Sequence, residues 1–121
     1  MNSMFTPNKR FLLIAASAAA VVALSLSAPA FAAVDADAAM ALVRQNGCLK
    51  CHSVDKKKDG PAYREVAAKY KGKPGAEQRL ITHITTGEKA KFEDGHEEEH
   101  KIIKTKDMNE IKNVVNWILS L

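Results

Sequence analysis

The stretch of sequence that decides the fold is Cys48-Leu49-Lys50-Cys51-His52. Two cysteines separated by two residues and followed directly by a histidine form the attachment sequence for a c-type haem. The spacing suits the chemistry, because each thiol adds to one of two vinyl groups on adjacent sides of a porphyrin and the next residue then lies beneath the iron. We therefore predict thioether bonds from Cys48 and Cys51 to one covalent haem c, with His52 as an iron ligand.

Other uses of the cysteine pair fit the sequence less well. A disulfide between Cys48 and Cys51 would close too short a loop to constrain much of the chain. A redox-active C-x-x-C of the thioredoxin type is expected in a βαβ context, which the sequence lacks. A zinc site would need two more ligands, which His96 and His100 could supply, but it would leave His52 without a role.

The first 32 residues have the organisation of a secretory signal peptide. Lys9 and Arg10 precede an apolar run over residues 11–26, and Ala30-Phe31-Ala32 offers small residues at the positions that a signal peptidase reads. A membrane anchor is the alternative, but a run of this length falls short of the roughly 20 apolar residues that span a bilayer. We expect export to the periplasm, cleavage after Ala32 and a single domain over residues 33–121.

The mature chain is small and close to neutral. Loss of Lys9 and Arg10 lowers the formal net charge from +4 to +2, and aromatic residues are few, so nothing in the composition calls for a nucleic-acid partner. A domain of this size buries its surface inefficiently, and we expect a large apolar cofactor to supply part of the core.

The hydrophobic periodicity of the mature chain predicts four short amphipathic helices and no strand. They cover about 35–45, with Asp35 or Asp37 as the N-cap, 61–70, 76–86, and a last helix that begins at Asp107. Pro61 suits a first helical turn, and Asp107 with Glu110 has the spacing of a capping box. The apolar face of the last helix is predicted to contain Met108, Ile111, Val114, Val115, Ile118 and Leu119.

The mature chain resembles the small bacterial monohaem class I cytochromes c over nearly all of its length. The resemblance runs from the first helix and the attachment motif, through Gly60-Pro61-Ala62-Tyr63 and residues 66–70, to residues 114–119 with Trp117. It implies an all-α fold of about four short helices wrapped around one covalent haem. It also implies that the Pro61 carbonyl accepts a hydrogen bond from the ring of His52, and that Trp117 packs beside the haem.

The same resemblance implies a function. It points to a periplasmic carrier of single electrons rather than an enzyme. The partners that it implies are redox proteins such as a periplasmic dehydrogenase, reductase or oxidase, with no nucleic acid and, after signal cleavage, no membrane.

The sixth iron ligand is where the sequence departs from that family. The family uses a methionine in a proline-rich loop before the closing helix, and this chain has no such loop. His100 lies 17 residues before Trp117, close to where the family places its ligand. We predict His100 as the distal ligand, with Met108 as the alternative and His96 third. A place on the apolar face of the last helix already explains Met108.

Other interpretations concern the polar residues. An open or displaceable sixth position would make the protein a haem-based binder of small ligands. His96-Glu97-Glu98-Glu99-His100 also matches the H-E-x-x-H motif of zinc hydrolases, although this stretch has no apolar face. His83 is expected to be solvated on the third helix. Lys56-Lys57-Lys58 is either a solvated surface or a patch that steers an acidic redox partner.

Overall fold

The computed structural model describes residues 33–121, and the predicted signal peptide lies outside the described residues. This part of the chain forms four α-helices: α1 (Ala36–Gln45), α2 (Tyr63–Tyr70), α3 (Ala76–Thr86) and α4 (Met108–Ser120). A short 3₁₀ turn, Cys48–Lys50, follows α1. Within residues 33–121, no helix is both long enough and apolar enough to cross a bilayer. The four predicted helices are confirmed.

The ends of α1 and α4 follow from capping side chains. Asp35 accepts a hydrogen bond from the backbone N–H of Ala38 at 2.9 Å, so Asp35 rather than Asp37 is the N-cap of α1. Asp107 caps α4 by accepting from the N–H of Asn109 at 2.8 Å. Each cap pairs one of the amide groups that a helix start leaves without an intrahelical partner.

Glu110 does not complete the predicted capping box. Its carboxylate accepts from the hydroxyl of Thr105 at 2.5 Å, and the N–H of Asp107 donates to that same hydroxyl oxygen at 3.1 Å. The predicted capping box is wrong, because the N–H of Asp107 is paired with Thr105 and not with Glu110.

Helix α2 begins two residues later than predicted. Ala62 is its N-cap, with an extended backbone, and its N–H donates to the carboxylate of Glu65 at 2.8 Å. Pro61 therefore lies before the helix, where its carbonyl is free to accept a hydrogen bond from elsewhere in the fold.

The polar stretch between α3 and α4 contains a β-hairpin, so the prediction of no strand is wrong. Strands β1 (Lys89–Lys91) and β2 (Glu97–Glu99) pair antiparallel, with Lys89 opposite Glu99 and Lys91 opposite Glu97. Oppositely charged residues that face one another across a ladder stabilise it. A search for alternating apolar residues does not detect a hairpin of this kind.

The core lies where α4 packs against α1, α2 and α3. Its buried side chains come from all four helices and from Ile103; they include Ala39, Val43, Tyr63, Leu80, Ile81, Ile111, Val114, Val115, Trp117 and Ile118. Met108 is 47% exposed, so its predicted place in the apolar face of α4 is wrong. It is the first helical residue and follows the exposed residues Lys106 and Asp107, ahead of the buried part of the helix.

Candidate haem site

The ring of His52 is oriented by the chain that follows the attachment motif. The backbone N–H of His52 donates to the Cys48 carbonyl at 3.0 Å, directly after the 3₁₀ turn. On the imidazole, Nδ1 donates to the carbonyl oxygen of Pro61 at 2.7 Å, which is the hydrogen bond that the resemblance implies. Because Nδ1 then carries the proton, Nε2 is the nitrogen left to bind a metal.

Gly60 gives the chain the close approach that this hydrogen bond needs. A Cβ at position 60 would lie 2.6 Å from Cε1 and 2.9 Å from Nδ1 of His52. The N–H of Gly60 also donates to the Cys51 carbonyl at 2.8 Å, which ties the loop to the motif. No role is predicted for Gly60 from the sequence. A glycine directly before Pro61 could have indicated a close approach of the backbone.

Cys48 and Cys51 are both half-buried. Burial raises the pKa of the Cys48 thiol. Redox-active C-x-x-C motifs have the opposite property, because their reactive thiol is held as a thiolate by a lowered pKa. The environment of Cys48 therefore favours a structural attachment point over thiol–disulfide exchange.

Two aromatic side chains pack in series next to His52. Tyr63, the first residue of α2, stacks on the imidazole with ring centroids 5.2 Å apart, and Trp117 of α4 meets Tyr63 edge-on at 5.7 Å. Trp117 is only 6% exposed. Burial raises the pKa of Tyr63, so its phenol is neutral. The sequence predicts a role for Trp117 but none for Tyr63, which lies within the Gly60-Pro61-Ala62-Tyr63 segment.

The ring of His100 lies close to that of His52. The centroids of the two imidazole rings are 6.0 Å apart, and the ring planes are inclined by 52°. Among the described residues, Nδ1 of His100 is the one fully buried side-chain nitrogen or oxygen atom without a hydrogen-bond partner. Burial, with the nearby rings of His83 and His52, lowers the pKa of His100 to about 4. The imidazole is thus neutral at ordinary pH, the form in which histidine binds metals.

The other ligand candidates lie elsewhere. Met108 is exposed at the start of α4. His96 is exposed near the tip of the hairpin, where its ring stacks on Phe92 and is hydrogen-bonded to Asp94 and Glu98. His83 is not the solvated residue that the sequence predicts, because its side chain is 29% exposed and its ring centroid lies 4.0 Å from that of His100.

The residues around His52 and His100 fit a haem. Two imidazoles bound to one metal through bonds of about 2 Å have ring centroids separated by roughly 6 Å, as these two have. Cys48 and Cys51 supply the thiols for two thioether bonds. Gly60 leaves the room that the His52 ring occupies. The thiols of Cys48 and Cys51 and the imidazoles of His52 and His100 are thus donors that would suit a covalently bound haem.

The zinc-hydrolase interpretation is not supported. The H-E-x-x-H motif needs a helix to bring its two histidines to one metal, whereas Glu97–Glu99 is a strand. Residues 33–121 contain no cluster of three or more side chains placed to hold a metal ion.

The basic run that follows the motif is partly neutralised. Lys57 forms an ion pair with Glu93 of the hairpin, and Nζ of Lys58 donates to the Leu49 carbonyl at 2.7 Å. A second basic surface lies on the other side of the motif, where Lys50, Lys101 and Lys104 line a shallow depression beside Ile102, which is 44% exposed.

The helical fold and the C-x-x-C-H motif define a c-type cytochrome. Residues 36–121 match the family model described as cytochrome c. Cytochrome c-551 of Allochromatium vinosum is 36% identical over 82 residues, which are 68% of this chain and 84% of that protein. Cytochrome c2 of Rhodocyclus tenuis is 49% identical over 47 residues, which are 39% of this chain and 51% of that protein.

A solved structure is also similar. The class 1 cytochrome MtoD from Sideroxydans lithotrophicus ES-1 is 64% identical, with 73% of this chain and 97% of that one covered and a TM-score of 0.69. The chain belongs to the cytochrome c family, among its small bacterial class I members. It is a monohaem electron carrier with covalently attached haem c, and the comparisons support neither the small-ligand binder nor the zinc hydrolase.

Proposed function

We propose that this cytochrome is exported, loses residues 1–32 and carries single electrons between redox proteins in the periplasm. Its haem is held by thioethers at Cys48 and Cys51, and its iron is bound by His52 on one face and His100 on the other. The polypeptide makes and breaks no bond of a substrate, so the protein is not an enzyme.

The observation that carries this proposal is the pair of facing imidazoles. The ring centroids of His52 and His100 are 6.0 Å apart, and Nδ1 of each ring is taken up by the protein. On His52 this nitrogen is hydrogen-bonded to Pro61, and on His100 it is buried. Nε2 is thus the nitrogen of each ring that is left for the iron. Neither His96 nor Met108 has such a setting.

When a haem is bound, the residues of the site would orient the iron ligands and shield the core beside them. The haem, when bound, supplies the one-electron Fe(III)/Fe(II) couple. Pro61 fixes the orientation of His52 and makes its imidazole a stronger donor. Tyr63 and Trp117 exclude water from the neighbouring core. A second imidazole in place of the family's methionine favours ferric iron, so we expect a lower reduction potential than with histidine–methionine ligation.

The near-infrared spectrum tests the distal ligand. A sulfur-to-iron band of the oxidised protein marks methionine ligation, and we expect this band to be absent. His100→Ala should convert the iron to a high-spin form, while the control variant Met108→Ala should leave the spectrum unchanged. A band that disappears only in Met108→Ala would exclude His100. Mass spectrometry of the exported protein should show one added haem and a chain that begins at residue 33.

The partners that we propose are periplasmic dehydrogenases, reductases or oxidases with an acidic docking face. Lys50, Lys101 and Lys104 surround exposed Ile102 next to the attachment motif. Positive charges in this position raise the rate of association with a partner whose docking surface is negatively charged. Lys101→Glu should slow electron transfer to the native partner at low salt, and the effect should fade as salt is added. Lys71→Glu makes the same charge change at the exposed end of α2 and is the control. Equal rates for both variants would exclude this surface.

A further inference from the structure

A cluster of three side chains lies behind His100. The ring of His83 packs against the ring of His100, with centroids 4.0 Å apart and planes inclined by 40°. Nδ1 of His83 donates to a carboxylate oxygen of Glu88 at 2.6 Å. Nη1 of Arg79 donates to the same oxygen at 2.6 Å. The Glu88 carboxylate, which is ion-paired with Arg79, therefore holds the His83 ring in position through Nδ1.

The local sequence explains why these residues meet. Arg79 and His83 are four residues apart on α3, so their side chains lie on one face of the helix. Gly87 ends α3 in the left-handed conformation, with φ of 69°. This turn brings Glu88 back alongside the helix that it has just left.

Glu88 also holds the backbone of His100. The N–H of His100 donates to the Glu88 carbonyl at 3.0 Å, at the base of the hairpin where Lys89 pairs with Glu99. One residue thus restrains His100 twice, directly through its carbonyl and indirectly through the ring of His83.

We propose that His83, anchored by Glu88, is a positioning residue that holds the imidazole of His100 facing His52 and keeps the sixth iron position closed. The inference rests on the proposed ligation by His100. The structure gives the Nδ1 atom of that ring no hydrogen bond, unlike that of His52, which Pro61 orients. Orientation of His100 must therefore come from packing, and His83 is the ring that packs on it.

The experiment is the rate at which carbon monoxide replaces the sixth ligand in the reduced, haem-loaded protein. Loss of an orienting side chain behind a metal ligand typically weakens binding 10–100-fold, so His83→Ala should accelerate carbon monoxide binding by about 10–100-fold. Glu88→Ala, which removes the anchor but leaves the ring, should accelerate it in the same direction. Gln78→Ala, at an exposed position on α3, is the matched control and should stay within twofold of the parent.

The outcomes separate this inference from the proposed function. If His100→Ala leaves the spectrum and the carbon monoxide rate unchanged, the ligation is wrong and the inference falls with it. If His100→Ala opens the site but His83→Ala and Glu88→Ala bind carbon monoxide at the rate of the parent, His100 is the ligand and His83 does not position it. Thermal midpoints that fall without a change in rate would show a role in stability alone. Should His83→Ala not accumulate with haem, Glu88→Ala decides the question.

Discussion

Gly60 has no room for a side chain beside His52, and Gly60→Ala is the change that tests this. The new methyl carbon would lie 2.6 Å from Cε1 and 2.9 Å from Nδ1 of the imidazole, far inside van der Waals contact. The ring or the loop must move, which breaks the 2.7 Å hydrogen bond to Pro61. Overpacking costs about 1–3 kcal/mol and the lost hydrogen bond about 1 kcal/mol, so we expect the free energy of unfolding to fall by about 2–4 kcal/mol.

Guanidinium unfolding of the haem-loaded protein, followed by circular dichroism, measures this loss. Gly72→Ala is the matched control, because a Cβ there meets nothing within 4 Å while its φ of 74° imposes only the backbone cost, about 1 kcal/mol. Gly60→Ala should also raise the reduction potential, since an imidazole without its hydrogen bond is a weaker donor to ferric iron. A Gly60→Ala protein that unfolds like Gly72→Ala and keeps the parent potential would refute the reasoning.

Two further predictions concern the start of α1 and the hairpin. Asn113 of α4 holds the start of α1, since its side chain accepts from the N–H of Asp35 at 2.9 Å and donates to the Asp35 carbonyl at 2.8 Å. Asn113→Ala should lower the free energy of unfolding by about 1–2 kcal/mol in the same denaturation assay, and an unchanged value would show that water replaces both bonds. In the hairpin, hydrogen bonding to Asp94 raises the pKa of His96 above its ordinary 6.5. Protonated His96 thus favours the fold below pH 6.5, a contribution lost as the pH rises through the higher folded value. In an NMR titration, Asp94→Asn should return that pKa towards 6.5, and no difference between the two proteins would count against the contact.

The parts of the fold that the sequence predicts are those with local signals. The four helices have apolar residues at helical spacing and capping residues such as Asp35 and Asp107, and the structure forms all four. The attachment motif indicates the cofactor by itself, because the spacing of Cys48, Cys51 and His52 is set by the porphyrin.

The parts that the sequence does not predict depend on contacts between distant residues. The hairpin is built from charged residues, with Lys89 opposite Glu99, and these residues show no apolar periodicity. The surroundings of His83 follow from the turn at Gly87, which returns Glu88 to α3. Met108 has the character of a core residue, but its position at the first turn of α4 leaves it in solvent.

The hydrogen bond between the carbonyl of Glu88 and the N–H of His100 has a consequence for how this family member can change. It closes the hairpin at its base, so the two ends of residues 89–99 lie next to each other. Exposed hairpin tips tolerate insertions and deletions. Loops of different length or charge can therefore connect β1 and β2 without displacing His100, which follows β2. A surface for a new partner could thus be acquired beside the haem at little risk to its coordination.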